Sequence, residues 1–303
     1  MLNEKATPFN LEHTLDCGQV FRWEKKNDCR YGIVGETIIK LKQEGEKPIF
    51  EISQKNGDID FIRNYFRLDD DLPLVITRIS RDAIVQRAVE ELYGLRIIRQ
   101  DPWECFISYI CATFSNISRV RGMVWNLSRR FGRKIAYDGL TFYTFPSKKS
   151  LAEATAGELL DCKLGFRARY VREAAKMIED CDFDFEALKK LSYGEAKKQL
   201  LCFPGVGHKV ADCILLFSLE KLEAFPIDVW VKRIVSNYYY GNFPEFELIR
   251  DKELTPRLYN RISAFGREYF GEYAGYAQEY LFHYYRFHSQ SLKCMTVHKS
   301  VIG

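Results

Sequence analysis

Nothing in this chain approaches about 18 consecutive apolar residues, so no segment reads as a membrane-spanning helix. The opening stretch, MLNEKATPFNLEHTLD, has no apolar core of the kind a secretory signal needs. Charge of one sign is also missing. Lys and Arg number 45 against 41 Asp and Glu, a net charge of +4. Bulk charge therefore cannot argue for a nucleic-acid partner, and a basic face would have to be local. The nine cysteines (17, 29, 105, 111, 162, 181, 202, 213 and 294) follow no repeating spacing. They form neither a disulfide framework nor a zinc cluster with His, and reduced thiols are expected. There is no Walker loop, dinucleotide fingerprint, internal repeat or low-complexity stretch. What remains is a globular intracellular protein. Its 303 residues, 47% hydrophobic and 15% aromatic, suffice for two or three domains with a sizeable core.

Residues 17–52 favour short strands. Gln19–Trp23, Tyr31–Val34, Thr37–Leu41 and Ile49–Ile52 are rich in β-branched and aromatic residues. Gly35-Glu36 fits a two-residue hairpin, and Asn27-Asp28 and Glu44–Glu46 mark other turns. From Asp58 the apolar period becomes helical, with Ile59, Ile62, Tyr65 and Phe66, then Ala83–Leu92 ending near Gly94. From Trp103 onward nearly everything reads as helix. Thr155-x-x-Glu158 and Ser192-x-x-Glu195 have capping-box spacing. A last helix is expected from about Tyr269 to His288, a loop from Asn242 to Pro256, and a poorly ordered tail after Ser289.

The most informative stretch is Leu201–Asp228. Phe203-Pro204-Gly205-Val206-Gly207 forms a tight turn between helical runs. Gly205 and Gly207 can take positive φ, leaving amides at the next helix N-terminus to face a phosphate without reading sequence. An ordinary helix–turn–helix corner would look much the same. Lys209, just inside that helix start, sits where the dipole disfavours a cation. It could simply contact phosphate. It could also be an amine nucleophile. At its ordinary pKa roughly one lysine in 2,500 is neutral at pH 7. Lowering the pKa to about 8 raises that to roughly a tenth, enough to attack a sugar C1′ and form a Schiff base. Asp228, 19 positions later, is placed to cap the following helix and to stay ionised beside a developing positive charge. Cys213 lies four residues after Lys209 on the same helix face, and Gln278 and Phe282 are likewise four apart.

These residues resemble the helix–hairpin–helix DNA glycosylases, and more closely the 8-oxoguanine DNA glycosylases of the eukaryotic type. The resemblance covers nearly the whole chain. Its motifs are CGQVFRW (17–23), IRQDP (98–102), LGFRARYV (164–171), PGVGHKVADC (204–213), PID (226–228) and YAGYAQEYLF (273–282). It implies an α+β fold in which a small N-terminal antiparallel β domain (1–97) joins a mostly helical helix–hairpin–helix domain (98–290, hairpin 201–209), followed by a tail (291–303). It implies Lys209 as Schiff-base nucleophile and Asp228 as its electrostatic partner. Gly18 would offer its carbonyl to the N7–H that distinguishes the lesion from guanine, whose N7 carries a lone pair. Phe282 and Cys213 would sandwich the flipped base, and Gln278 would bond its Watson–Crick edge. Arg119 and Arg167 match arginines facing the orphaned cytosine, and Gly205 and Gly207 the phosphate-binding turn. Carbonyls of Leu201, Phe203 and Val206 match ligands of a structural monovalent or calcium ion.

The implied activity is base-excision repair of duplex DNA by a monomeric glycosylase and abasic-site lyase. It needs no catalytic cofactor and works in the cytoplasm of a bacterium or the nucleus of a eukaryote. The iron–sulfur branch of the superfamily is excluded by cysteine count, since only Cys213 and Cys294 follow Lys209. The family's run of three asparagines reads Phe114-Ser115-Asn116 here, so Phe114 would wedge into the gap left by the base. Phe166 replaces a tyrosine wedge, and Trp230 replaces a histidine after the aspartate. Lesion recognition is therefore expected to match the family more closely than opposite-base recognition. Two other readings fit the hairpin: a monofunctional alkylpurine glycosylase, and a non-catalytic helix–hairpin–helix DNA-binding protein.

Overall fold

A computed structural model describes residues 8–45, 47–53, 59–242 and 253–299. The first helix among the described residues is α1 (Leu11–Asp16), capped by the Asn10 side chain. Strands β1 (Trp23–Lys26), β2 (Cys29–Val34), β3 (Thr37–Glu44) and β4 (Lys47–Ile52) form an antiparallel sheet in sequence order. Val34 pairs with Thr37 across the Gly35-Glu36 turn, as the sequence suggests, with Gly35 at φ 59°.

The first strand differs from expectation. Gly18–Arg22 is irregular, and β1 begins only at Trp23. The cause is Gln19, which is 1% exposed. Its amide nitrogen donates to the carbonyls of Thr14 and Arg96, and its amide oxygen accepts from Ile98 N–H. Its backbone carbonyl accepts from Gln100 Nε2 at 2.7 Å and Tyr109 Oη at 3.2 Å. Side chains here satisfy the polar groups that a strand would have paired in a ladder.

Helices α2 (Ile59–Tyr65), α3 (Leu72–Ile79), α4 (Ala83–Glu91), α5 (Pro102–Cys111) and α6 (Ile117–Phe131) follow. Then comes a hairpin that helical periodicity did not suggest, β5 (Lys134–Tyr137) and β6 (Leu140–Tyr143). Its turn is Asp138-Gly139, both at positive φ (53° and 70°), a strong two-residue hairpin signal. Phe142 packs with Tyr31, Ile33 and Ile38, and Asp138 bonds Tyr31 Oη and Lys40. The hairpin thus covers one face of the N-terminal sheet.

The remaining helices are α7 (Lys148–Glu153), α8 (Ala156–Asp161), α9 (Arg167–Asp180), α10 (Phe185–Lys190), α11 (Tyr193–Leu200), α12 (His208–Ser218), α13 (Val229–Tyr238), α14 (Pro256–Phe270) and α15 (Ala274–Lys299). Both expected capping boxes are present, at α8 and α11. Residues 243–252 of the expected loop lie outside the described residues. The last helix starts at Ala274 rather than Tyr269, because Gly271 (φ 72°) closes α14 and a 3₁₀ turn intervenes. It stays helical through Lys299, past Ser289, where the sequence suggests an unstructured tail.

The main apolar core is helical and packs α5, α9, α12 and α15 together with Leu72–Ile97 and with Cys17 and Phe21 from the N-terminal region. A second cluster lies under the sheet. The architecture is α+β, with a small antiparallel sheet beside a larger helical body.

Candidate active site

The turn before α12 carries the first element of the site. Gly205 has φ 80°, and a Cβ there would lie 2.7 Å from Tyr170 Cβ, so glycine is required on both counts. Gly207 differs from expectation: its backbone is extended (φ −92°, ψ −178°), and nothing lies near its missing side chain. It is the N-cap of α12 without supplying a side-chain cap. The first amides of α12 are left for an outside acceptor. Lys209 is the second residue of that helix, as its position in the sequence suggests.

Asp228 caps α13, accepting from Val231 N–H at 2.8 Å. The sequence reading has this carboxylate simply ionised. Burial instead pushes its pKa up, opposed by hydrogen bonds from Val231 and Trp230 and by the Lys209 charge.

Six residues singled out in the sequence meet at one cavity of about 60 Å³: Gly18, Lys209, Cys213, Asp228, Gln278 and Phe282. Lys209 Nζ lies over the Tyr109 ring, 5.3 Å from its centroid, and Tyr109 stacks on Phe217 at 5.5 Å. Burial pushes the Cys213 thiol up to about 12. It stays protonated and serves as an apolar wall, not a thiolate. Gln278 is 5% exposed, and its Oε1 has no partner within the protein. Gly18 has φ 108°, and a Cβ would meet Ile117 Cδ1 at 2.5 Å and Arg286 Nη1 at 3.0 Å. The Gln19 bonds described above pin the segment that carries it.

Sequence reasoning missed four cavity residues: Tyr109, Phe217, Pro226 and Glu279. Glu279, 3% exposed, adjoins Gln278 in the motif already noted. The signal available was its place on a helix whose neighbours were assigned to the base.

The residues assigned to the opposite strand lie outside this cavity. Phe114 is 92% exposed and held at φ 49°, an uncommon backbone for a bulky side chain. Phe166 is also exposed. Asn116 caps α6 by accepting from Arg119 N–H at 2.9 Å, and both are exposed. Arg167 departs from expectation. It is buried, and its guanidinium donates to the carbonyls of Thr113, Phe114 and Leu164. It therefore holds the Phe114 backbone in place rather than offering a free fork to a base. Trp230 packs against Tyr285 and lies under Arg233. Of the three hairpin carbonyls, that of Phe203 already accepts from Val206 N–H at 3.1 Å. Among the described residues, no group of three or more His, Cys, Asp or Glu gathers to hold a metal ion.

Residues 1–106 match the model of the 8-oxoguanine DNA glycosylase N-terminal domain, and residues 107–246 that of the HhH-GPD superfamily base excision DNA repair proteins. The chain is 31% identical to the N-glycosylase/DNA lyase OGG1 of Arabidopsis thaliana, over 91% of this chain and 77% of that one. The chain belongs to the 8-oxoguanine DNA glycosylase/lyase family. This glycosylase is also 30% identical to the N-glycosylase/DNA lyase of Saccharomyces cerevisiae, over 90% of this chain and 82% of that one. It matches the fold of the 8-oxoguanine glycosylase/lyase of Clostridium acetobutylicum, solved with double-stranded DNA containing cytosine opposite 8-oxoG. There the TM-score is 0.85 and the identity 33%, with 93% of each chain covered. Membership gives the cavity its context: the glycosylase's two matched regions contribute Gly18 and Lys209 to the same pocket.

Proposed function

We propose that this enzyme flips 8-oxoguanine out of duplex DNA, excises it through a Schiff base on Lys209, and cleaves the abasic strand by β-elimination. The carrying observation is the meeting of Lys209 and Asp228 with Gly18, Cys213, Gln278 and Phe282 at one cavity. A DNA-binding module needs a phosphate-facing turn but not a half-buried amine and carboxylate beside a base-sized wall. An alkylpurine glycosylase that activates water has no use for an amine at this point.

The turn at Gly205 and the open N-terminus of α12 hold a phosphate by backbone amides. Extruding the nucleotide costs a few kcal/mol, offset by Phe114 filling the stack. Its exposure and its backbone, tied by Arg167, suit a wedge. Arg119, Phe166 and Trp230 remain with Phe114 and Asn116 as contacts to the opposite strand and flanking phosphates. Phe282 and Cys213 flank the base, the unpartnered Gln278 Oε1 accepts from its Watson–Crick edge, and the Gly18 carbonyl accepts N7–H. Lys209 Nζ then attacks C1′, the glycosidic bond breaks with its electron pair leaving on the base, and Asp228 stabilises positive charge on the sugar.

No cofactor enters these steps. The carbonyls of Leu201, Phe203 and Val206 are hard oxygen donors, suited to a monovalent or calcium ion that would fix the turn to phosphate. The division into residues 1–97 and 98–290 is supported by the confinement of the four-stranded sheet to the first. The enzyme acts as a monomer inside the cell.

Borohydride trapping on 8-oxoguanine duplex, with each of four bases opposite, tests the reading. Wild type gives a covalent adduct, and Lys209→Gln gives none. An undiminished adduct with Lys209→Gln rules out the assigned nucleophile.

A further inference from the structure

Glu279 is the cavity carboxylate to which the scheme above gives no task. It lies on α15 between Gln278 and Tyr280, 3% exposed, and lines the same small cavity as Lys209, Cys213 and Asp228. Its Oε1 has no hydrogen-bond partner within the protein. A buried carboxylate oxygen without a partner is costly unless it takes up a proton or serves chemistry. The groups facing it are Lys209 on α12, Asp228 at the start of α13, Arg286 two turns along α15, and the Cys17 thiol, whose proton goes to the Thr14 carbonyl. Burial is the largest influence and favours the protonated acid, as does Asp228. Cys17, Arg286 and Lys209 favour the carboxylate, and the balance sets Glu279 at about 7. A group so poised can take and return a proton under working conditions. Asp228 is less free, since its carboxylate is bound to amides of α13.

We propose that Glu279 accepts the proton of the Lys209 ammonium and later returns it to the departing base. This rests on Lys209 being the nucleophile. In the first step the proton moves from Nζ to a Glu279 oxygen, directly or through one cavity water, leaving a neutral amine and a neutral acid. In the second, the Nζ–C1′ bond forms and the C1′–N9 bond breaks, its electron pair going to the base. The neutral acid then protonates the base anion, and the carboxylate is restored. Asp228 keeps its role beside C1′. Proximity to Lys209 becomes useful through proton exchange rather than through a fixed ion pair.

The test is single-turnover release of 8-oxoguanine from roughly pH 5.5 to pH 9, for wild type, Glu279→Gln, Glu279→Asp and Lys209→Gln, with affinity for lesion duplex measured beside it. The wild-type rate should fall about tenfold per unit as pH drops below about 7. Glu279→Gln should lose that limb and slow release at least about tenfold at neutral pH, with affinity unchanged. Glu279→Asp should keep the limb at an intermediate rate. The melting temperature of Glu279→Gln at alkaline pH should equal or exceed that of wild type, since a buried carboxylate has been removed. A Glu279→Gln profile parallel to wild type and within threefold of it overturns the proposal. So does a wild-type profile without the limb, a measurement that holds even if both variants fail to fold. A Lys209→Gln enzyme that still forms a trapped adduct overturns the nucleophile instead, so the two failures are distinguishable.

Discussion

At the scale of single residues, Gly18 is set by backbone and space together. Its φ of 108° is one that L side chains rarely adopt, and a Cβ would press on Ile117 and Arg286. Gly18→Ala should cost about 1–3 kcal/mol and move the carbonyl assigned to N7–H. A lower melting temperature should accompany slower release of 8-oxoguanine, both measured on the same preparation. His283 gives a pH signature of a different kind. Burial, Arg286 and His13 hold its pKa down at about 4, below the ordinary value of about 6.5. Between these values the unfolded chain binds more protons than the folded one, so this group makes stability fall as pH drops from about 6.5 to about 4. Glu279 acts oppositely: its raised pKa makes stability fall as pH rises from the ordinary value of about 4.5 to about 7. The contrast with His283→Gln isolates the histidine, and the wild type should lose more melting temperature over that acidic window than the variant. Lys209, Asp228 and Cys213 stand out by residue type and spacing, and Gly18 only through the resemblance of the motif that carries it. Glu279 and Arg167 do not, because their roles depend on burial and on partners more than 40 positions away in sequence.

At the scale of elements, the helix that carries Lys209 and the segment that carries Asp228 are joined by a buried polar network. Asp212, on α12 beside Cys213, is fully buried and accepts from Tyr259 Oη at 2.6 Å, Tyr193 Oη at 2.7 Å and Lys197 Nζ at 2.9 Å. Tyr259 Oη in turn accepts from Ile227 N–H at 3.2 Å, one residue before Asp228. The helix carrying Lys209 and the segment carrying Asp228 therefore share one anchor. Asp212→Asn removes the charge facing Lys197 and should cost about 3–5 kcal/mol. Thermal denaturation measures the loss, and base release should slow at temperatures where the variant is still folded. The helices themselves were legible from period and capping residues. The β5–β6 hairpin was not, because two four-residue strands set between long helices carry too short a period of their own, and only the Asp138-Gly139 turn marks them. The Gln19 segment failed for the opposite reason: its composition favours a strand, but tertiary hydrogen bonds take its polar groups.

At the scale of the whole molecule, the division near residue 97 does not separate two independent cores. Leu72, Val75, Ile79, Val85, Ala88, Val89, Leu92, Leu95 and Ile97 belong to the same apolar cluster as α5, α12 and α15. Residues 98–290 expressed alone should therefore lack fixed tertiary packing, seen as lost near-ultraviolet circular dichroism with helical signal retained. The small net charge leaves DNA affinity to local contacts, while the cavity draws its lining from both ends of the chain, Gly18 near the start and Gln278 and Phe282 near the end. That arrangement makes the cavity, not the hairpin, the centre of the account. Its most direct test is mass-spectrometric mapping of the peptide covalently joined to 8-oxoguanine duplex after borohydride reduction. The modification should lie on Lys209, within the peptide that also contains Cys213. A modification on any other amine, or none on a preparation that releases the base and cuts the strand, would contradict it.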